Sequence, residues 1–349
     1  MKLSKSVLLG TAIALGAGPV LIATTPTSAT AAEVEGPEVK WNLSLWGARR
    51  GFSEGLEGLA QYVSEQTDGN FEIELHYGEV LSASKENLDG LYLGAFEAAA
   101  FCPIYHPAKT PALSVLDLAF LPVETLAERR DLIESLYQDP AIIADFAKWK
   151  ALPLMGVMMP NYQAMGAGDP PTTLDDWQGL RISSAGGVGE VMGGLGASVT
   201  LVTAPDMFQS LERGMIEAAT FPYTYAFASY RLHEVSDWVT DNWSMGAVVC
   251  HSAMSESAYN ALPEQYKTLL DEAVEFGYDL QIQKYNEVDV ENEALFEAEE
   301  LYRVPMTDEI DAAIAAAVQP SWDAWIESAS AEGVPAQELL DKVLEAAAE

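Results

Sequence analysis

Between Val39 and Phe101 the hydrophobic pattern switches repeatedly between two periods. Val39–Trp46 alternates apolar and polar positions as a half-buried strand does, and Trp46-Gly47 ends it. Phe52–Gln66 spaces its apolar residues as an amphipathic helix, stopped by Asp68-Gly69. Phe71, Ile73, Leu75 and Tyr77 mark a second strand. Lys85–Leu93 reads as a helix closed by Gly94, and Phe96–Phe101 as a short apolar strand. Strand, helix, strand, helix, strand predicts an α/β protein with parallel pairing. The pattern returns after a turn at Asp169-Pro170-Pro171: strand Gly179–Ser183, helix Gly189–Leu195, strand Val199–Val202.

One stretch repeats. Leu91-x-x-Gly94-x-x-Glu97-Ala98-Ala99-x-Phe101 recurs as Leu211-x-x-Gly214-x-x-Glu217-Ala218-Ala219-x-Phe221, six identities in eleven positions. In both copies a helix ends at a glycine able to take positive φ, and a strand follows. Each strand leads into an aromatic loop, Phe101–His106 and Phe221–Tyr225. The expectation is two lobes of like construction. Ligands on open α/β sheets sit beyond the carboxyl ends of strands, so the two loops are placed to face each other across a cleft.

From Pro263 to Glu300 there is no further proline and a single glycine, Gly277. At ~1.5 Å per residue such a helix spans about 55 Å, enough to brace two lobes. Asp308–Val318 and Trp322–Ala331 read as shorter helices, and Pro335–Ala348 as a terminal one.

The first residues read as an address. Lys2 and Lys5 precede an apolar run from Val7 to Ala23, and Ala29 and Ala31 fit a small-residue cleavage rule. Residues 1–31 are therefore expected to be a signal peptide, cleaved to leave an exported, soluble product. No other segment reaches the ~18 apolar residues of a membrane span.

Composition narrows the partners. The chain has 349 residues, 53 acids against 18 bases and a net charge of −35, yet 49% of it is hydrophobic. Cores are affordable, whereas nucleic acid and anionic lipid both require Lys/Arg surfaces that such a chain lacks. Two cysteines, Cys102 and Cys250, exclude a disulfide framework and any multi-cysteine metal site.

Catalytic signatures are missing: there is no G-x-S-x-G elbow, P-loop, H-E-x-x-H or post-strand G-x-G-x-x-G. Gly186-Gly187-Val188-Gly189 follows a strand and opens a helix, so its amides could cradle an anion, or simply make a tight turn. The four histidines show no ligand spacing. No metal, no cofactor and no enzymatic activity are expected.

What remains is a binding site of aromatics and a few polar groups. Trp46 ends the first strand, with Arg49 and Arg50 just after it. Tyr105 and His106 end the third. Asn161, Tyr162 and Gln163 follow the apolar run Leu154–Met159. Phe221, Tyr223 and Tyr225 form the second aromatic loop, and Asn242-Trp243 precede another strand.

At these residues the chain resembles the DctP-like solute-binding subunits of tripartite ATP-independent periplasmic (TRAP) transporters. The resemblance is carried by Trp46-Gly47 with Arg50, Ser84-Lys85-Glu86-Asn87-Leu88, Leu116-Asp117-Leu118-Ala119-Phe120-Leu121-Pro122, Leu174-Asp175-Asp176-Trp177-Gln178-Gly179-Leu180-Arg181-Ile182, Leu195-Gly196-Ala197, Leu211-Glu212-Arg213-Gly214 and Pro263-Glu264. It implies a two-lobed periplasmic-binding-protein fold of the type II-like kind, with a long helix spanning both lobes. Lobe one would be residues 36–157 with 245–280, lobe two 158–244 with 281–349, and the helix about 263–300 would cross both. It implies a periplasmic protein that closes around one small organic anion and delivers it to integral membrane TRAP permease subunits. The alternatives are an exported enzyme on the same scaffold or a subunit feeding a sensor. The ligand set implied is Trp46, Arg50, Glu86, Tyr105, His106, Tyr162, Gln163, Arg181, Ser183, Phe221, Tyr223 and Trp243.

Two positions depart from the family pattern. Its ligand-pairing arginine stands two residues after Arg181, where this chain has Ser183, and Phe221 stands where many members have asparagine. Either Arg50 or Arg181 takes over, or the ligand is not a simple carboxylate. A sulfonate, a longer or aromatic acid, and a zwitterion with its cation on Trp46 or Tyr223 all stay open.

Overall fold

The computed structural model describes residues 33–347, so the expected signal peptide lies outside the described residues. In chain order come β1 (Val39–Ser44), α1 (Gly51–Gln66), β2 (Phe71–His76), α2 (Asn87–Leu93), β3 (Ala98–Phe101), α3 (Leu126–Leu136), α4 (Pro140–Ala147) and β4 (Ala151–Val157). Then follow β5 (Tyr162–Gly166), β6 (Arg181–Ser183), α5 (Gly186–Gly194), β7 (Ser198–Thr200), α6 (Met207–Glu212), β8 (Ala218–Pro222), α7 (Tyr225–Ser229) and β9 (Trp238–Asp241). The last are β10 (Cys250–Ser255), α8 (Glu256–Asn260), α9 (Glu264–Ala298), β11 (Tyr302–Pro305), α10 (Asp308–Ala331) and α11 (Ala336–Ala346).

The strands form two mixed sheets, β2-β1-β3-β10-β4 and β11-β9-β5-β8-β6-β7. The parallel pairing expected of β1, β2 and β3 is present, and β10 returns antiparallel between β3 and β4. Each sheet with its helices makes one lobe. The chain passes between lobes from β4 to β5, from β9 to β10, and along α9.

The repeated stretch has the same architecture in both lobes. Gly94 (φ 70°) and Gly214 (φ 65°) end their helices in the left-handed region, each donating its N–H to the leucine three residues back. A non-glycine residue there would be strained. Glu97 accepts a hydrogen bond from Asn42 N at 2.8 Å, and Glu217 accepts one from Arg181 N at 2.9 Å. In both lobes this carboxylate ties the helix-to-strand turn to the neighbouring strand. β3 and β8 then pair parallel with β1 and β6, at Leu43↔Ala98 and Ile182↔Ala218.

α9 braces both lobes. Its first part grips lobe one: Tyr278 OH accepts from Gly156 N (2.7 Å), Tyr285 OH donates to Met158 O (2.9 Å), and Gln281 donates to Phe52 O (3.1 Å). Farther along, Asp289 accepts from Thr224 Oγ1 (2.6 Å) and Glu293 from Arg303 (2.7 Å), both in lobe two. Gly277 is where α9 meets α1 backbone to backbone, for a Cβ there would stand 2.6 Å from Gly55 O.

Two expectations need correction. α10 is one helix, not two, and runs through Pro320. The proline removes one backbone hydrogen bond, and the helix is held past it by Trp322 and Trp325, whose indole N–H groups donate to Ala119 O and Ser114 Oγ at 2.9 Å. α5 starts at Gly186, three residues earlier than expected. Its first glycines allow a tight packing, for a Cβ on Gly186 would stand 3.0 Å from Asp117 O and one on Gly187 2.4 Å from Ala119 N. Cys102 and Cys250 are joined by a disulfide across the adjacent strands β3 and β10. No described helix is long and apolar enough to cross a membrane.

Candidate ligand cavity

The carboxyl ends of β1 and β3 and the end of β8 converge on a small cavity. It holds about 30 Å³, and its wall includes the rings of Trp46, Phe52, Tyr105, Tyr162, Phe221 and Tyr225. That is room for roughly one or two waters. Trp46 packs on Phe52 (ring centroids 5.0 Å) and edge-on to Tyr105 (6.0 Å). Tyr225 packs on Tyr285 of α9 (5.1 Å), so the brace supports the wall from behind. The disulfide forms part of the lining.

Arg50 is the charged group of this cavity. It is 8% exposed and has no carboxylate partner among the described residues. Extended backbone at Arg50 leads into α1, and Ser53 Oγ accepts its N–H at 3.1 Å. Nη1 donates to Trp46 O (2.9 Å) and Ala48 O (2.7 Å), which fixes the guanidinium. Nε is enclosed and unpartnered. The edge left over is therefore Nε with Nη2, the fork that takes a carboxylate through two parallel hydrogen bonds. The guanidinium lies 4.4 Å from the Phe52 ring centroid and 5.5 Å from that of Tyr230. α1 begins at the same wall, so its positive end adds to the attraction for an anion.

Comparison with known proteins agrees with this architecture. The family model for bacterial extracellular solute-binding protein, family 7 (DctP) matches residues 45–328. The chain belongs to this family. A monocarboxylate 2-oxoacid-binding periplasmic protein of Nostoc is 24% identical over 327 residues, covering 92% of this chain and 88% of that protein. A marine metagenome TRAP solute-binding protein specific for aromatic acids, crystallised with 3-hydroxybenzoate, superposes with a TM-score of 0.80. It is 18% identical and covers 90% of this chain and 99% of its own. A Rhodoferax ferrireducens TRAP solute-binding protein with copurified benzoate gives a TM-score of 0.78 at 18% identity, over 89% and 98% of the two chains. Family 7 proteins and these neighbours are substrate-binding receptors.

Within this family 7 chain, the structure gathers Trp46, Arg50, Tyr105, Tyr162 and Phe221 around one space. The other expected ligand residues stand elsewhere. Arg181 is exposed, bonded to Gly214 O (3.2 Å) and paired with Glu217 (3.3 Å). Ser183 is buried and accepts from Val202 N at 3.1 Å. Glu86 is exposed ahead of α2. His106 is buried beside Phe101, and burial pulls its pKa down to about 4, with Lys109 adding to the shift. Gln163 follows Tyr162 in β5 and so faces the opposite side of the sheet, where it accepts from Thr240 Oγ1 (2.6 Å) and Trp243 N (3.2 Å). Tyr223 is hydrogen-bonded by Arg303, and Trp243 donates to Val304 O (3.2 Å) while packing on Trp177. Arg49 is exposed and pairs with Glu54.

Gln163 and Tyr223 instead line a larger cavity of about 1010 Å³. Its wall carries Glu124, Asp289, Glu293, Glu297 and Glu300 against Arg129 and Arg303, and Arg303 is paired with Glu293, so acids outnumber bases there. Size alone therefore does not single it out. Sequence reasoning missed Phe52, Met159 and Tyr230 in the Arg50 cavity. Phe52 was legible only as a helix residue, and Tyr230 ends a helix too short to show a period.

Proposed function

We propose that this protein binds a small organic monoanion in the Arg50 cavity, with the ligand carboxylate on Nε and Nη2 of Arg50 and its body between Trp46, Tyr105 and Phe221. The observation that carries the reading is Arg50 itself. A guanidinium removed from water without a counter-charge is costly, and the ligand carboxylate supplies what the protein does not. Arg50 thereby takes the place of the family arginine absent at Ser183. The aromatic wall favours a compact or flat body over a second charged group. The relatives named for 2-oxo acids and aromatic acids support that class.

The space is smaller than such a ligand. The solute therefore enters with the lobes apart, and closure settles the wall around it. The protein works after export to the periplasm, which the disulfide suits, and hands its ligand to TRAP membrane subunits. A thermal-shift panel on the purified protein tests the reading. Small 2-oxo acids and benzoates raise the melting temperature in step with concentration. Stabilisation by amines or zwitterionic amino acids alone would overturn it.

A further inference from the structure

Building on that ligand reading, we infer that Tyr230 is a specificity-determining residue: its hydroxyl takes a second oxygen of the ligand beside the carboxylate, so the cavity selects 2-oxo acids over the corresponding plain acids.

Tyr230 follows α7 in lobe two, and its ring lies along Phe221 (5.8 Å, 17° between planes). The stack fixes the ring while the hydroxyl enters the Arg50 cavity. A Cβ on Gly47 would stand 2.8 Å from both Tyr230 OH and Arg50 Nη1, so these two polar atoms are at most twice that distance apart. The hydroxyl is fully enclosed and has no hydrogen-bond partner. Arg50, beside it, can only donate, and Glu79, the carboxylate whose charge reaches the hydroxyl, stands outside the cavity lining and accepts from Ser84 N at 2.7 Å. No carboxylate lines the cavity to receive the phenol proton. Tyr105, the other phenol near Trp46, accepts from Ala204 N at 3.3 Å, and of the described phenols lining the cavity only the Tyr230 hydroxyl is fully enclosed without a partner of either kind.

The Tyr230 hydroxyl of lobe two thus lies close to the Arg50 guanidinium of lobe one, and both groups carry hydrogens with no partner. A carboxylate satisfies Arg50, and an oxygen on the adjacent carbon satisfies Tyr230. A plain acid leaves the phenol buried and unpaired, and an amine sets donor against donor. Because Arg50 belongs to lobe one and Tyr230 to lobe two, both are engaged only when the lobes are closed. The second oxygen therefore also favours closure.

The test is titration calorimetry with a matched pair, 2-oxobutyrate and butyrate, on wild type, Tyr230→Phe and Arg50→Gln. Wild type is expected to prefer 2-oxobutyrate by roughly 10- to 100-fold. Tyr230→Phe keeps the ring stack, so butyrate affinity is retained and the preference collapses to within about threefold. Retained butyrate binding is also the control for folding. A wild type that does not distinguish the two acids, or binds neither, overturns the inference. So does a Tyr230→Phe variant that keeps the preference or weakens both acids equally. Arg50→Gln is expected to weaken both acids. If it leaves both unaffected, the ligand reading fails, whatever Tyr230 does.

Discussion

Among the described residues Arg50 and Arg129 are the buried arginines without a carboxylate partner, and they differ in setting: Arg129 Nη2 donates to Val123 O (3.2 Å) and Asn161 Oδ1 (2.9 Å) beside the acid-lined cavity, whereas Arg50 faces the aromatic one. Arg49 is matched by Glu54, Arg181 by Glu217 and Arg303 by Glu293, each at least partly in solvent where such pairs contribute little. Arg50 is held only by backbone carbonyls and aromatic faces. The buried histidines carry a second consequence at this scale. Burial lowers His251 to about 3 and His106 to about 4, below the ordinary 6.5. Between pH 6.5 and those values the unfolded chain binds protons that the folded one refuses, so stability falls as pH falls. Calorimetry from pH 7 to pH 5 should show a declining melting temperature, with a shallower decline in His106→Gln. Equal slopes would mean that His106 is not the titrating group. Residue roles were the part of the site least legible in the sequence. Tyr162 and Gln163 look equivalent on paper, yet a strand sends neighbours to opposite faces. Arg181 sits in a recognisable motif, but Glu217, its partner, is 36 positions away and only the fold brings it near.

Elements were read more successfully than residues, because periodicity reports burial directly. β1, β2, β3, β6, β7 and α9 emerge near their expected ends, and the repeated glycine-to-strand stretch is one construction used twice. Pro320 misled because a local rule against proline was outweighed by two tertiary hydrogen bonds from tryptophans farther along the same helix. Gly277 interrupts a long helix at a propensity cost of about 1 kcal/mol relative to alanine. Its reason is spatial, since a Cβ there would meet the Gly55 carbonyl of α1. Gly277→Ala is therefore expected to destabilise the protein by roughly 1–3 kcal/mol despite the better helix propensity. Urea denaturation checks the sign: a stabilised variant would show that α1 and α9 need no such contact.

At the scale of the molecule, two lobes joined by crossing strands and one long brace follow from the order of elements, and family 7 membership agrees. The cavity wall draws on both lobes, so under the proposed reading capture is coupled to shape. A net charge of −35 does not oppose an anionic ligand there. Surface charge is screened beyond about 8 Å at physiological ionic strength, whereas donors inside the cavity act undiluted. The choice between the two candidate arginines was open in the sequence, since both follow strands or motifs of the family. Under the proposed reading, what favours Arg50 is that its free edge faces the cavity whereas Arg181 is exposed and paired with Glu217. The central claim is that Arg50, and not Arg181, holds the ligand. Titration calorimetry of Arg50→Gln and Arg181→Gln with the acid that most stabilises the wild type tests it directly. Arg50→Gln should weaken binding by about 100-fold or more, as removal of one partner of an enclosed charge pair does, with Arg181→Gln within about twofold of wild type. The reverse pattern would contradict the account.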